Sequence, residues 1–261
     1  MLVIRNEQIE VMGAAASGRF EENLVDHMKE IAPRHVDVIG DESLRGIVHG
    51  GIERAKTHGF TKRGPVRFFV ELMFLFGSEF DTDPLLPWAQ GVLTNPSIKD
   101  EMERADILHE AMVEYVDLVA GKDKVHLFDS MKRFNKTRLE DFQTKGTNFD
   151  TALRAMLKAN YPERCDYIGD EGIDALLAQG KDEARSRSVT SAKGAALLTV
   201  LLFQLGHAAL TDPLFPWISE ALNDKTVADP NERIRNLRQK SVKYSDHTLK
   251  NLGQVPSDGT S

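Results

Sequence analysis

Apolar residues recur along this chain with the 3.6-residue period of amphipathic helices, and the spacing predicts an all-α fold. From Asn6 to Ile31 they fall at Ile9, Met12, Phe20, Leu24 and Met28, with Pro33 expected to stop the helix. A second helix is expected from Asp41 through Leu44, Ile47, Val48, Ile52 and Ala55, closing at His58-Gly59. The run Val66 to Phe76 is apolar enough to be a strand, but its counterpart Ala195 to Leu205 is rich in Ala and Leu, which favours helix. Further helices are expected from Asp83-Pro84, from Ile98 to Val119, from Val125 to Phe134, and from Asn231 to Leu252.

The pattern repeats. An offset of 129 positions aligns Phe20 with Phe149, Pro33 with Pro162, and Ile39-Gly40-Asp41-Glu42 with Ile168-Gly169-Asp170-Glu171. It then aligns Gly51 with Gly180, Gly77 with Gly206, and Thr82-Asp83-Pro84-Leu85-Leu86-Pro87-Trp88 with Thr211-Asp212-Pro213-Leu214-Phe215-Pro216-Trp217. The register holds without a gap to Tyr115 and Tyr244. The expected architecture is a tandem duplication of a multi-helix unit, its copies packed with pseudo-twofold symmetry. Copy one covers 1–120, a linker with a short helix 121–147, copy two 148–252, and a disordered tail 253–261.

The residues kept in both copies have local structural readings. Asp41, Asp83, Asp170 and Asp212 suit helix N-caps, the following prolines suit N1, and Trp88 and Trp217 suit core anchors one turn later. Gly50-Gly51, inside a helical pattern, suggests close helix packing.

Charge and chemistry add few constraints. A net charge of −7 argues against nucleic acid as the main partner. The single cysteine, Cys165, excludes an intramolecular disulfide and reads as a buried hydrophobe. Gly194 to Leu210 is the most membrane-like stretch, but it is short and contains Gln204 and His207, so a core helix is expected and no membrane partner. Met1 to Ile4 is too short for a signal-peptide core, and a cytoplasmic location is the default.

No HExxH, GxSxG, P-loop or GxGxxG pattern is present, and no histidine aligns with another under the offset. Glu79, Asp81 and Asp83 could form a cation site, but their counterparts are Ala208, Leu210 and Asp212, so a duplicated site is excluded. The expectation is therefore no catalytic residue, no metal and no cofactor. The last helix gathers basic residues, and Arg235 and Arg238 are its candidate partner contacts; the matching helix of copy one is acidic.

Leu2 to Ile9, Glu71 to Gly77 and Phe80 to Trp88 together resemble a family of small helical bacterial proteins encoded beside type VI secretion spike components, PAAR-repeat tip proteins and their toxic effectors. The resemblance implies a non-enzymatic chaperone, co-chaperone or adaptor, with a secreted toxic effector or a PAAR/spike protein as partner. An immunity protein is the nearest rival. An enzyme with a pocket between the copies, around Asp81, Asp83 and His207, is the rival of another class.

Overall fold

The computed structural model describes residues 6–142 and 148–252 and, among them, is all-helical. The proposed tail 253–261 and part of the linker lie outside the described residues. The first half consists of α1 (Asn6–Ile31), α2 (Pro33–Ile39), α3 (Asp41–Thr57), α4 (Arg63–Phe76), α5 (Pro87–Leu93) and α6 (Glu101–Ala120). The connecting stretch holds α7 (Val125–Lys136) and a 3-10 turn, Leu139–Phe142. The second half consists of α8 (Phe149–Asn160), α9 (Pro162–Ser186), α10 (Ala192–Leu205), α11 (Pro216–Leu222) and α12 (Pro230–Leu252).

Element bounds recur at the offset read from the sequence. α4 maps onto α10 at both ends and α5 onto α11; α6 and α12 start at matching residues. Pro33 opens a helix of its own rather than merely ending α1, and Pro162 opens α9. Gly40, at φ 77°, separates α2 from α3, and Gly169, at φ 67°, kinks α9 at the matching position. Only glycine takes that left-handed backbone without cost.

Four expected caps are corrected. Gly40, not Asp41, precedes α3, and the exposed Asp41 carboxylate takes Lys29 at 2.8 Å. Asp170 lies one residue past the Gly169 kink and takes Lys158 at 2.9 Å, the matching pair. α5 and α11 begin at Pro87 and Pro216, after Leu86 and Phe215, so neither Asp83 nor Asp212 caps a helix. A cap is a local reading of a sequence pattern, whereas these side chains serve more distant partners. Side-chain caps occur elsewhere: Asp100 accepts from the N–H groups of Met102 and Glu103, its counterpart Asp229 accepts from Asn231 N–H at the start of α12, and Ser191 accepts from Gly194.

The core follows helical spacing. α3 buries Leu44, Ile47, Val48, Gly51, Ile52 and Ala55 against α4 and α1. A Cβ at Gly51 would stand 2.8 Å from Met73 Sδ, and one at the matching Gly180 would stand 1.9 Å from Thr199 Oγ1. Gly51 and Gly180 thus set the close α3–α4 and α9–α10 crossings, while Gly50 points into open space. α10 is buried on every face from Gly194 to Phe203, being covered by α8, α9, α12 and the 3-10 turn. This explains the membrane-like composition there; no helix among the described residues is long and apolar enough to cross a membrane. Trp88 and Trp217 are buried as anchors, packed on Tyr115 and Tyr244 with centroids 5.9 and 5.3 Å apart.

Candidate functional site

The Thr-Asp-Pro corners join the two halves. Asp83 is fully buried; its Oδ1 accepts from Leu85 N–H at 2.8 Å and its Oδ2 from His207 N–H, in the other half, at 3.0 Å. Asp212 mirrors it, with Oδ1 accepting from Leu214 N–H at 2.9 Å and Oδ2 from Ser78 N–H at 2.8 Å. Between them the chains cross at Gly77 and Gly206, at φ 103° and 104°. A Cβ at Gly77 would lie 2.9 Å from Leu205 O, and one at Gly206 would lie 2.8 Å from Phe76 O. The contacts are reciprocal.

Asp81, Asp83 and His207 are neighbours at this junction, but each is held by a protein partner. Arg54 Nε donates to both Asp81 oxygens, at 2.7 and 2.9 Å, and His58 Nε2 lies 2.7 Å from Oδ2. Burial pushes the Asp81 carboxyl up, yet the hydrogen bonds from His58 and Arg54 outweigh it and hold the group below its ordinary 3.8. His207 Nε2 lies 3.2 Å from both Glu79 O and Thr82 Oγ1. Among the described residues, no three His, Cys, Asp or Glu side chains are grouped to hold a metal ion.

The two candidate contact arginines separate. Arg235 is exposed, 4.0 Å from Asp229. Arg238 is buried, which corrects its reading as a surface contact. It donates to the carbonyls of Phe134 and Thr137, at 2.7 and 2.6 Å, and covers the Phe134 ring. Cys165 is buried as expected, and burial pushes its thiol up to about 11, out of the nucleophilic range.

A cavity of about 270 Å³ opens between α7, α9, α10 and α12, with the ends of α4 and α6 at its side. Its apolar wall includes Met131, Phe134, Leu201 and Leu205, and Leu75 and Leu127 stand there with large exposure (65% and 37%). Polar groups converge on it from the second half: Tyr161, Arg164, Gln204, Ser241, Ser245 and Thr248. Tyr161 bonds Gln204, and burial raises both the Tyr161 and the Tyr244 hydroxyls, Tyr244 to about 12. Both therefore stay protonated and neutral.

His126 Nδ1 pairs with Glu163 at 3.2 Å, and Ser130 lies one turn along α7. These are the residue types of a hydrolytic triad, but the geometry differs. The His126 ring packs on Gly121, where a Cβ would come within 2.6 Å of its Nε2, and the Ser130 hydroxyl donates to Leu127 O. Ser130 therefore has no base of the kind that activates a serine.

The cavity was not anticipated, although the sequence carries a signal for it. Under the offset, Tyr161, Gln204, Ser241, Ser245 and Thr248 replace Ala32, Leu75, Met112, Val116 and Val119. Apolar positions of the first half that meet polar ones under the offset mark a place where scaffold alone does not explain the residues. Scans against protein-family models, curated proteins and solved structures each found no match to the chain.

Proposed function

We propose that the protein is a non-catalytic helical binding protein, built by tandem duplication of one unit and packed about a pseudo-twofold axis. Matching element bounds and the equivalent bonds of Asp83 to His207 N–H and of Asp212 to Ser78 N–H support the duplication. Its role is that of a cytoplasmic accessory that engages a client protein. The resemblance in the first half suggests a secreted toxic effector or a PAAR/spike protein as that client.

The observation that carries the binding reading is the apolar rim beside the cavity. Leu75 and Leu127 are exposed there, and Val125, at the start of α7, is 46% exposed. Large apolar side chains gathered at a concave opening are a common mark of a protein contact. Beside them, His126 is paired with Glu163.

Co-purification with the polypeptide encoded beside this gene tests the reading. The client is expected to be soluble and to co-elute with the protein, and Leu75→Glu with Leu127→Glu is expected to release it. A client whose solubility and delivery do not depend on this protein would remove the proposal. Rescue of cells from the client's toxicity, without help in its delivery, would replace it with an immunity role.

A further inference from the structure

The interior of the cavity carries a chemistry distinct from its rim. Three of the residues that line it each carry a buried polar atom with no hydrogen-bond partner: Arg164 Nε, Trp217 Nε1 and Ser245 Oγ. The first two can only donate, and the third can donate as well as accept. Trp217 and Ser245 are both more than nine-tenths buried. Trp88 Nε1 is equally unpartnered in the first half, so the groups particular to this cavity are Arg164 and Ser245.

Arg164 stands where the first half has His35. Both lie near the matching phenylalanine, His35 with Phe74 at 5.7 Å and Arg164 over Phe203 at 4.6 Å. His35 Nε2 also reaches the Leu214 carbonyl across the junction, at 2.8 Å. Arg164 has no such bond and pairs with no carboxylate among the described residues. Its neighbour Tyr161 also feels the charges of Arg238 and Arg133, which are bonded to backbone carbonyls. The one carboxylate on the wall, Glu163, is paired with His126. A guanidinium with a buried, unpaired N–H beside an apolar space favours an anionic acceptor.

We propose that this cavity binds a small apolar monocarboxylic acid. Its carboxylate meets the Arg164 guanidinium and the Ser245 hydroxyl, and its hydrocarbon or aromatic body lies against Met131, Phe134, Leu201 and Leu205. One unpaired guanidinium suits a monoanion, and the planar fork of arginine matches a carboxylate. The modest volume, below that of most drug-sized sites, limits the body to a short chain or a single ring. The inference does not depend on the identity of any client.

Calorimetric titration of the full chain with octanoate, and separately with octan-1-ol, tests it. Octanoate is expected to bind at one saturable site, at least about tenfold more tightly than the alcohol, with a change in tryptophan emission. Arg164→Gln is expected to remove that preference by weakening octanoate alone. Ser245→Val is expected to weaken octanoate too, and it should fold, because Val116 holds the matching position of the first half. Circular dichroism checks that both variants keep their helices. Equal binding of acid and alcohol, binding of neither, or octanoate binding indifferent to Arg164→Gln would each overturn the proposal. None of these outcomes bears on the client contact at the rim.

Discussion

At the scale of single residues, Asp83 and Asp212 tie the two halves together through their carboxylates. Asp83 and Asp212 look like N-caps because Ser, Thr, Asp and Asn before a proline normally cap. Their two oxygens instead accept two separate backbone N–H groups, one local and one across the junction. The distinction is testable, since Asn caps about as well as Asp. Here Asp83→Asn places an amide NH₂ where one of two donors needs an acceptor, and a loss of about 2 kcal/mol is expected by urea unfolding. Stability within about 0.5 kcal/mol of wild type would restore the cap reading.

Asp81 offers a second residue-scale prediction, in pH. Its folded carboxyl is held below 3.8, so its contribution to stability is present above that value and disappears as pH falls through the lower folded value. Asp81→Asn is expected to be less stable than wild type at neutral pH, with the gap closing as pH drops below about 4. Unfolding curves at a series of pH values check this; a gap independent of pH would show that the Arg54 and His58 bonds contribute nothing through charge.

At the scale of elements, most helices were legible because their buried faces obey the 3.6-residue period, as in α3, and because glycines mark their ends. Two features were not legible. α5 starts at Pro87 rather than Asp83, since the residues after Gly77 form a 3-10 turn, Phe80–Thr82, that no periodicity reports. α7 is more than part of a linker: it packs on α6, α8 and α12 and forms one side of the cavity. Its C-terminal carbonyls are satisfied by Arg238 from α12, a pairing of positions far apart in the sequence. Arg238→Ala is therefore expected to cost about 2 kcal/mol by exposing that helix end and leaving carbonyls bare, whereas Arg235→Ala should cost under about 0.5 kcal/mol. Chemical denaturation of the two variants side by side decides it, and equal effects would place Arg238 back on the surface.

At the scale of the whole molecule, the candidate site was the least legible part, because it depends on which residues of α7, α9, α10 and α12 meet. The offset held the clue in its mismatches, such as Val116 against Ser245, but a mismatch alone does not say that the polar members share one wall. The junction has the opposite character, with matched aspartates each accepting a backbone N–H from the other half. Since Asp83 and Asp212 each need an N–H from the other half, neither half keeps its corner intact if the other unfolds. The chain should accordingly unfold as one cooperative unit rather than as two domains in sequence. Each half carries one tryptophan, Trp88 or Trp217, so Trp217→Phe reports on the first half and Trp88→Phe on the second. With each variant, the fluorescence midpoint is expected to coincide with its own midpoint from circular dichroism. Fluorescence midpoints that depart from the helical transition in opposite directions would mean that the halves melt separately and that the reciprocal bonds do not couple them.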